Sequence, residues 1–338
     1  MTSGALKTLF LPFEREILPE PTGDMKVLFL GAEPDSLLVP QWKKALTCVQ
    51  PSRPDFLALE KAGFNVVPRL DTALRFDHAL ILISKHKGRN EGWFADALAQ
   101  VSPGGTIVIS GDKKLGIDGF RKWVERSFPT LDRLSKNHAV AFWLERPANL
   151  ADAAISSLRP ASIQFSGFET MPGMFSHGAV DKGSALLAGY FAGRISGRVA
   201  DFGAGWGYLA TECLKHPQKL VSLDLFEADY EALEVAKRYL AGHPSVPVGF
   251  YWSDLLSEAV TGIYDTVVMN PPFHAGRAAD AGLGQGFIAA AARRLKPGGR
   301  LLMVANRQMP YEASLKAVFK AVDILVIADG FKVIEARK

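Results

Sequence analysis

Arg198-Val199-Ala200-Asp201-Phe202-Gly203-Ala204-Gly205-Trp206-Gly207 is the stretch on which the fold turns. Its first five residues read as a buried strand, and the pattern from Tyr208 to about Lys215 reads as a helix. Strand, glycine turn and helix together give such a loop its meaning. Glycine lets the backbone approach a ligand closely where a helix begins. The spacing is Gly-x-Gly-x-Gly, unlike the Gly-x-Gly-x-x-Gly of dinucleotide folds, and Asp201 stands two positions before the first glycine. Asp201, Gly203, Gly205 and Gly207 are therefore the first candidate cofactor residues.

The next segments extend the pattern. Leu220 to Phe226 reads as a second strand ending in Glu227. A carboxylate at that point can take both hydroxyls of a ribose. Asp224 and Glu227 both qualify. Glu227 is preferred, because the next helix (Tyr230 to Lys237) starts just beyond it while Asp224 lies inside the strand. Val248 to Trp252 is a third strand, closed by Ser253-Asp254. Asp254 reads either as an acceptor for an adenine amino group or as the N-cap of a short helix. Thr266 to Met269 then runs into Asn270-Pro271-Pro272-Phe273. Two prolines end a strand and make a rigid corner. The Asn270 side-chain oxygen and the Pro271 carbonyl are expected to accept the two N–H bonds of a planar molecule's exocyclic amine, with Phe273 stacked on its ring. The order of these elements fits an adenosyl-ligand site along the carboxyl ends of an open parallel sheet.

Composition bounds the rest. The chain has 338 residues, 48% hydrophobic, enough for two domains. No apolar run approaches a membrane span, and the first residues lack a signal-peptide apolar core. Cys48 and Cys213 are the two cysteines and form no Cys-x-x-Cys, so neither a disulfide framework nor a metal site is expected and a cytoplasmic location is. Net charge is +4 with pI near 8.9. The first 160 residues carry 21 Lys and Arg against 18 Asp and Glu, which leans that half toward a polyanion.

Residues from about 165 to 338 resemble the class I S-adenosylmethionine-dependent methyltransferases of the small-methyltransferase group. They are most similar to the bacterial ribosomal RNA guanine-N2 methyltransferases of the small-subunit methyltransferase C type. Besides Asn270 to Phe273, the resemblance rests on Met171-Pro172-Gly173-Met174-Phe175-Ser176, Asp181-Lys182-Gly183-Ser184 and Val304-Ala305-Asn306-Arg307-Gln308-Met309-Pro310-Tyr311. It implies S-adenosylmethionine as cofactor and ribosomal RNA, or the small ribosomal subunit, as partner, with a monomer the favoured state. Asn270, Pro271, Pro272 and Phe273 become the catalytic corner, with Asn270 also beside the cofactor. His274 reads as a substrate contact or as a turn histidine, and Arg307 as an RNA contact or a C-terminal ion pair. The Asn-Pro-Pro-aromatic corner also occurs in enzymes that methylate adenine in DNA or glutamine in protein. A non-catalytic RNA-binding assembly factor is the alternative of another class.

The first half repeats the grammar of the second. Lys26-Val27-Leu28-Phe29-Leu30-Gly31-Ala32 lies on Arg198 to Ala204, with Glu33 and Asp35 where Gly205 and Gly207 stand. Ser102-Pro103-Gly104-Gly105 matches Lys296-Pro297-Gly298-Gly299, and Ser84-Lys85-His86-Lys87 replaces the proline corner. The expected architecture is therefore α/β, two tandem doubly wound (Rossmann-like) folds. Residues 1–155 form a degenerate copy for RNA recognition or support, and 165–338 the catalytic one. Lys85 and Lys87, with Arg89, Lys113 and Lys114, are candidate phosphate contacts.

Overall fold

The computed structural model describes all residues except 1–2, 23, 35–39, 166, 177, 244 and 273–277, and no side chain of 40, 41 or 278–281. The chain divides into two compact units. One comprises Met1–Ser162 with Met171–Gly173, the other Ile163–Thr170 with Met174–Lys338.

The amino-terminal unit holds β1 (Val27–Leu30), β2 (Leu46–Val49), β3 (Asn65–Val67), β4 (His78–Leu82), β5 (Thr106–Asp112), β6 (Asp132–Lys136) and β7 (Ala139–Glu145). The other unit begins with a short hairpin, β8 (Ile163–Phe165) and β9 (Phe168–Thr170). Its main sheet comprises β10 (Gly197–Phe202), β11 (Leu220–Glu227), β12 (Val248–Trp252), β13 (Tyr264–Met269), β14 (Leu295–Asn306), β15 (Ala321–Ala328) and β16 (Phe331–Arg337). The two seven-stranded sheets have one topology. Their orders are β3-β2-β1-β4-β5-β7-β6 and β12-β11-β10-β13-β14-β16-β15, with two antiparallel pairings at one end of each. Continuous apolar runs make the central strands, since helices cover both faces of a parallel sheet. Val27–Leu30 is buried at every position, and so is Val199–Phe202.

Matching contacts confirm the duplication residue by residue. The Lys26 amide donates to Asp77 at 2.8 Å and the Arg198 amide to Asp265 at 2.8 Å. Gly31 N donates to Val49 O at 3.1 Å, as Gly203 N does to Phe226 O at 2.9 Å. Gly104 N meets Arg146 O at 3.0 Å, as Gly298 N meets Lys338 O at 2.9 Å. By this register Gln50 corresponds to Glu227 and Leu82 to Asn270.

The amino-terminal copy has filled the region the other leaves open. The equivalent glycines are crowded in both copies: a Cβ on Gly31 would lie 2.5 Å from Leu82 O and 2.7 Å from the Trp93 ring, and one on Gly203 would lie 3.2 Å from the Phe287 ring. At Gly205 a Cβ would meet nothing within 4 Å, and the amino-terminal copy has Glu33 in that register. The Gln50 amide is committed at both ends, donating to Ala32 O (2.8 Å) and accepting from Ser52 N (2.9 Å). Ser84 is closed onto buried Asn90, whose Oδ1 accepts from the Ser84 amide at 2.8 Å. This copy keeps the sheet and lacks the ligand-binding groups. Asp35 of the predicted correspondence lies outside the described residues.

Asp224, the second ribose candidate, lies inside β11 as its position suggested. It is buried and accepts a 2.8 Å hydrogen bond from the Tyr264 hydroxyl. That tyrosine stands 40 positions away, on β13. Tyr264→Phe removes the donor and leaves the buried carboxylate short of a partner. Chemical denaturation should show a loss of roughly 1–3 kcal/mol, and unchanged stability would contradict this pairing.

Candidate functional site

The order of the second sheet reverses direction between β11 and β13, which flank β10. Ligands of open α/β sheets lie at the carboxyl ends of the strands at such a switch point. Phe202 pairs with Met269, so Gly203 and Asn270 leave their strands side by side. A cleft of about 410 Å³ opens there, lined among others by Phe175, Asp181, Ser184, Gly203, Gly205 and Asn270.

The loop is shaped by its glycines. Gly205 has φ +55° and open space where a side chain would stand. That vacancy is the observation that fits a bound cofactor, because a ligand can approach the bare backbone. Glu227, at the end of β11, is tied to the loop. Its Oε2 accepts from Gly205 N at 2.7 Å and its Oε1 from Asp229 N at 2.7 Å. Both oxygens keep lone pairs for further donors, as a diol would supply. Burial pushes the Glu227 carboxyl up to about 7; the Asp229 charge adds to this and the backbone amides oppose it.

Asp201 is placed under the loop rather than in the cleft. It is fully buried, and neither carboxylate oxygen has a hydrogen-bond partner of normal geometry among the described residues. Burial first, then the Glu227 charge, pushes it up to about 8, with the Ala210 amide opposing. Asp254 is spent on a local turn. It accepts from Leu256 N (3.0 Å) and from the Ser257 hydroxyl, while its amide donates to Glu258 at 2.9 Å. The short helix expected after it is a single turn, because Val260, Thr261 and Gly262 do not propagate a helix.

Asn270 is the most constrained polar group of the site. Its Nδ2 donates to Asp181 Oδ2 at 2.9 Å and to Ser184 Oγ at 2.8 Å. Its Oδ1 is buried and has no partner among the described residues. Buried acceptors are rarely left unmade, so an orphan lining a cleft marks where a ligand's donor belongs. Pro271 is buried and Pro272 exposed. Phe273 and His274 lie outside the described residues. Arg307 is exposed just past β14, its backbone amide donating to Gly330 O at 2.8 Å. Lys85 and Lys87 are exposed in the amino-terminal unit, Lys87 within 3.5 Å of Glu91. Among the described residues no cluster of His, Cys, Asp and Glu could hold a metal ion, and no helix is long and apolar enough to cross a membrane.

Sequence reasoning missed the part played by Asp181. Asp181 N-caps the helix Lys182–Ala188 through the Ser184 amide (2.8 Å) and holds Asn270 with the same oxygen. An Asp ahead of a helix is a visible capping signal, but its second role spans 89 positions. Phe175 lines the cleft and is 63% exposed, while the Trp206 indole N–H donates to its carbonyl at 3.0 Å.

Comparison with known proteins places the chain in a family. The methyltransferase small domain family matches residues 166–335. The ribosomal RNA small subunit methyltransferase C of Psychromonas ingrahamii is 32% identical over 267 residues, covering 77% of this chain and 75% of that protein. The protein of the same name from Enterobacter sp. strain 638 is 36% identical over 276 residues, covering 81% and 79%. A T. thermophilus 16S rRNA guanine-N2 methyltransferase, solved in complex with AdoMet and guanosine, superimposes with a TM-score of 0.77 at 24% identity. It covers 100% of this chain and 94% of that one, and so shares the two-unit fold.

The buried carboxyl of Asp201 makes a pH prediction. An unfolded aspartate releases its proton near pH 4, while the folded one holds it to about 8. The folded state binds the extra proton between these values, so this group's contribution to stability falls as pH rises through that window. Asp201→Asn abolishes the effect. The stability of the variant relative to the parent should climb between pH 4 and 8, by at most about 1.4 kcal/mol per pH unit. A flat difference in urea titrations would contradict the assignment.

Proposed function

We propose, from the premise that this chain belongs to the methyltransferase small domain family with the small-subunit rRNA methyltransferase C proteins as relatives, that it methylates the exocyclic N2 amine of a guanine in small-subunit ribosomal RNA. S-adenosylmethionine is the methyl source, and when bound it supplies an already activated, electrophilic methyl group. The single observation that carries the acceptor chemistry is the buried, unpartnered Oδ1 of Asn270, held oxygen-forward by Asp181.

In this reading the glycine loop Gly203–Gly207 receives the cofactor's backbone-approaching portion. Glu227 takes ribose hydroxyls, and Asp254, whose carboxylate keeps lone pairs beyond its turn contacts, is assigned to the adenine amine. Asp201 supports the loop from below, and Asn270 stands at the reacting end. A guanine amine is a poor nucleophile because its lone pair is delocalised into the ring. Asn270 Oδ1 accepts one of its N–H bonds, with the Pro271 carbonyl assigned to the other. Holding both fixes the nitrogen's orientation and favours pyramidalisation. The proton leaves to solvent after transfer, so no strong general base is assigned. Phe273 is the proposed stacking partner of the base, and the exposed ring of Phe175 offers a second flat surface. Extruding a stacked nucleotide costs about a few kcal/mol. His274 and Arg307 are assigned to flanking RNA, and Lys85 and Lys87 of the degenerate unit to phosphates. A monomer in the cytoplasm completes the reading.

Incubation of the protein and labelled cofactor with RNA, DNA and protein pools separately tests the acceptor class. Label confined to RNA is expected; label in DNA or protein alone would overturn the reading. In the same assay Asn270→Ala should lower methyl transfer by about 100-fold or more while cofactor binding changes little. Normal turnover would remove the amine-positioning role.

Titration calorimetry should give one cofactor per chain, because the amino-terminal copy is filled by its own side chains. Gly205→Arg should abolish that single event. A second binding event per chain, or binding that survives the substitution, would contradict the loop assignment.

A further inference from the structure

A side-chain amide can face a ligand with either end, and the two ends select opposite chemistry. The oxygen accepts from an N–H group. The NH2 donates to a ring nitrogen or a carbonyl. At Asn270 the choice is made behind the residue, in the first turn of the helix Lys182–Ala188. Asp181 Oδ2 lies 2.9 Å from Asn270 Nδ2. An ionised carboxylate has no proton to donate, so it admits only the NH2 end. Ser184 Oγ, at 2.8 Å, is a hydroxyl and tolerates either end by rotating. The discriminating partner is therefore Asp181.

Asp181 is itself anchored. The same Oδ2 accepts the Ser184 amide at 2.8 Å as the helix N-cap, which opposes rotation of the carboxylate away from Asn270. Gly183 packs closely beside it. A Cβ there would lie 3.0 Å from Asp181 Oδ2 and 3.0 Å from the Phe331 ring. Asp181 thus orients the amide, and Ser184 holds Asp181 in place through its backbone N–H. The amino-terminal copy has Leu82 in the register of Asn270, a position with no amide to orient.

We propose that Asp181 is a specificity-determining positioning residue. By fixing the Asn270 oxygen forward, it makes the cleft accept a nitrogen that carries hydrogens, such as an exocyclic amine, and reject hydrogen-free acceptors such as a ring nitrogen or carbonyl oxygen. This inference rests on the methyl-transfer reading above and adds the origin of its acceptor selectivity.

A charge swap tests it. Asn270→Asp places two carboxylates face to face, and kcat should fall about 100-fold or more with cofactor Kd within about threefold. Adding Asp181→Asn reverses donor and acceptor and again leaves an oxygen toward the cleft. The pair should recover at least about tenfold over Asn270→Asp alone. Asp181→Asn alone pairs with either end of the Asn270 amide. It should lower kcat several-fold and expose the Asn270 NH2 protons to faster solvent exchange in 15N-resolved NMR. A merely structural role for Asp181 predicts no rescue by the swap. No rescue in a folded double variant, or unchanged kcat and NH2 exchange in Asp181→Asn, would overturn the proposal.

Should the double variant not fold, Asp181→Asn alone decides: a several-fold fall in kcat with faster Asn270 NH2 exchange is expected, and either quantity unchanged would overturn the assignment. If the parent protein methylates nothing in the RNA, DNA and protein pools, the reaction is wrong. The amide-exchange measurement then still judges Asp181.

Discussion

The hydrogen bond from Asn270 Nδ2 to the Asp181 carboxylate is the interaction on which the site depends. A charge-assisted bond of this kind is stronger than a neutral one. Here it does two things at once. It satisfies the donating end of a buried amide, and it leaves the accepting end aimed at the cleft without a partner among the described residues. An unmade buried acceptor costs about 1–3 kcal/mol. The structure tolerates that cost at a point where a ligand donor would remove it, so part of the binding energy is prepared in advance. Proline on the far side of Asn270 and a helix cap on the near side keep the geometry from relaxing.

The duplicated unit shows what it takes to lose such a site. The strand order, the Lys26–Asp77 contact and the Gly104 turn all survive in the amino-terminal copy. What changed is local. A glutamine spent on its own loop stands in the register of Glu227 and a leucine in that of Asn270. The sheet is held by backbone pairing and apolar burial, which do not depend on these positions. Fold and chemistry are thus separable along one chain, as expected when function resides in a few side chains at strand ends.

What could be read in advance follows from range. Glu227 was told from Asp224 by its place at the strand's end just before the next helix, and in the structure its carboxylate accepts the Gly205 amide. The duplication was legible because short motifs recur in order. The partner of Asp224 was not, since Tyr264 reaches it from 40 positions away. Nor was the second role of Asp181, whose capping signal is local while its bond to Asn270 spans 89 positions. Asp201 looked like a cleft residue because of its distance from the glycines. Strand pleat turns it inward instead, where burial and the neighbouring Glu227 keep its proton on to about pH 8. Asp254 was visible as a turn-former and as an acceptor, and the structure shows the first of these made by its own neighbours.

The claim that the Asn270 oxygen meets an exocyclic amine is tested most directly by a crystal structure of the protein with S-adenosylhomocysteine and a guanine-containing RNA fragment. The account predicts guanine N2 about 2.9 Å from Asn270 Oδ1, with Nδ2 still on Asp181. A base presenting a ring nitrogen or carbonyl to that residue, or a target amine elsewhere in the complex, would contradict it.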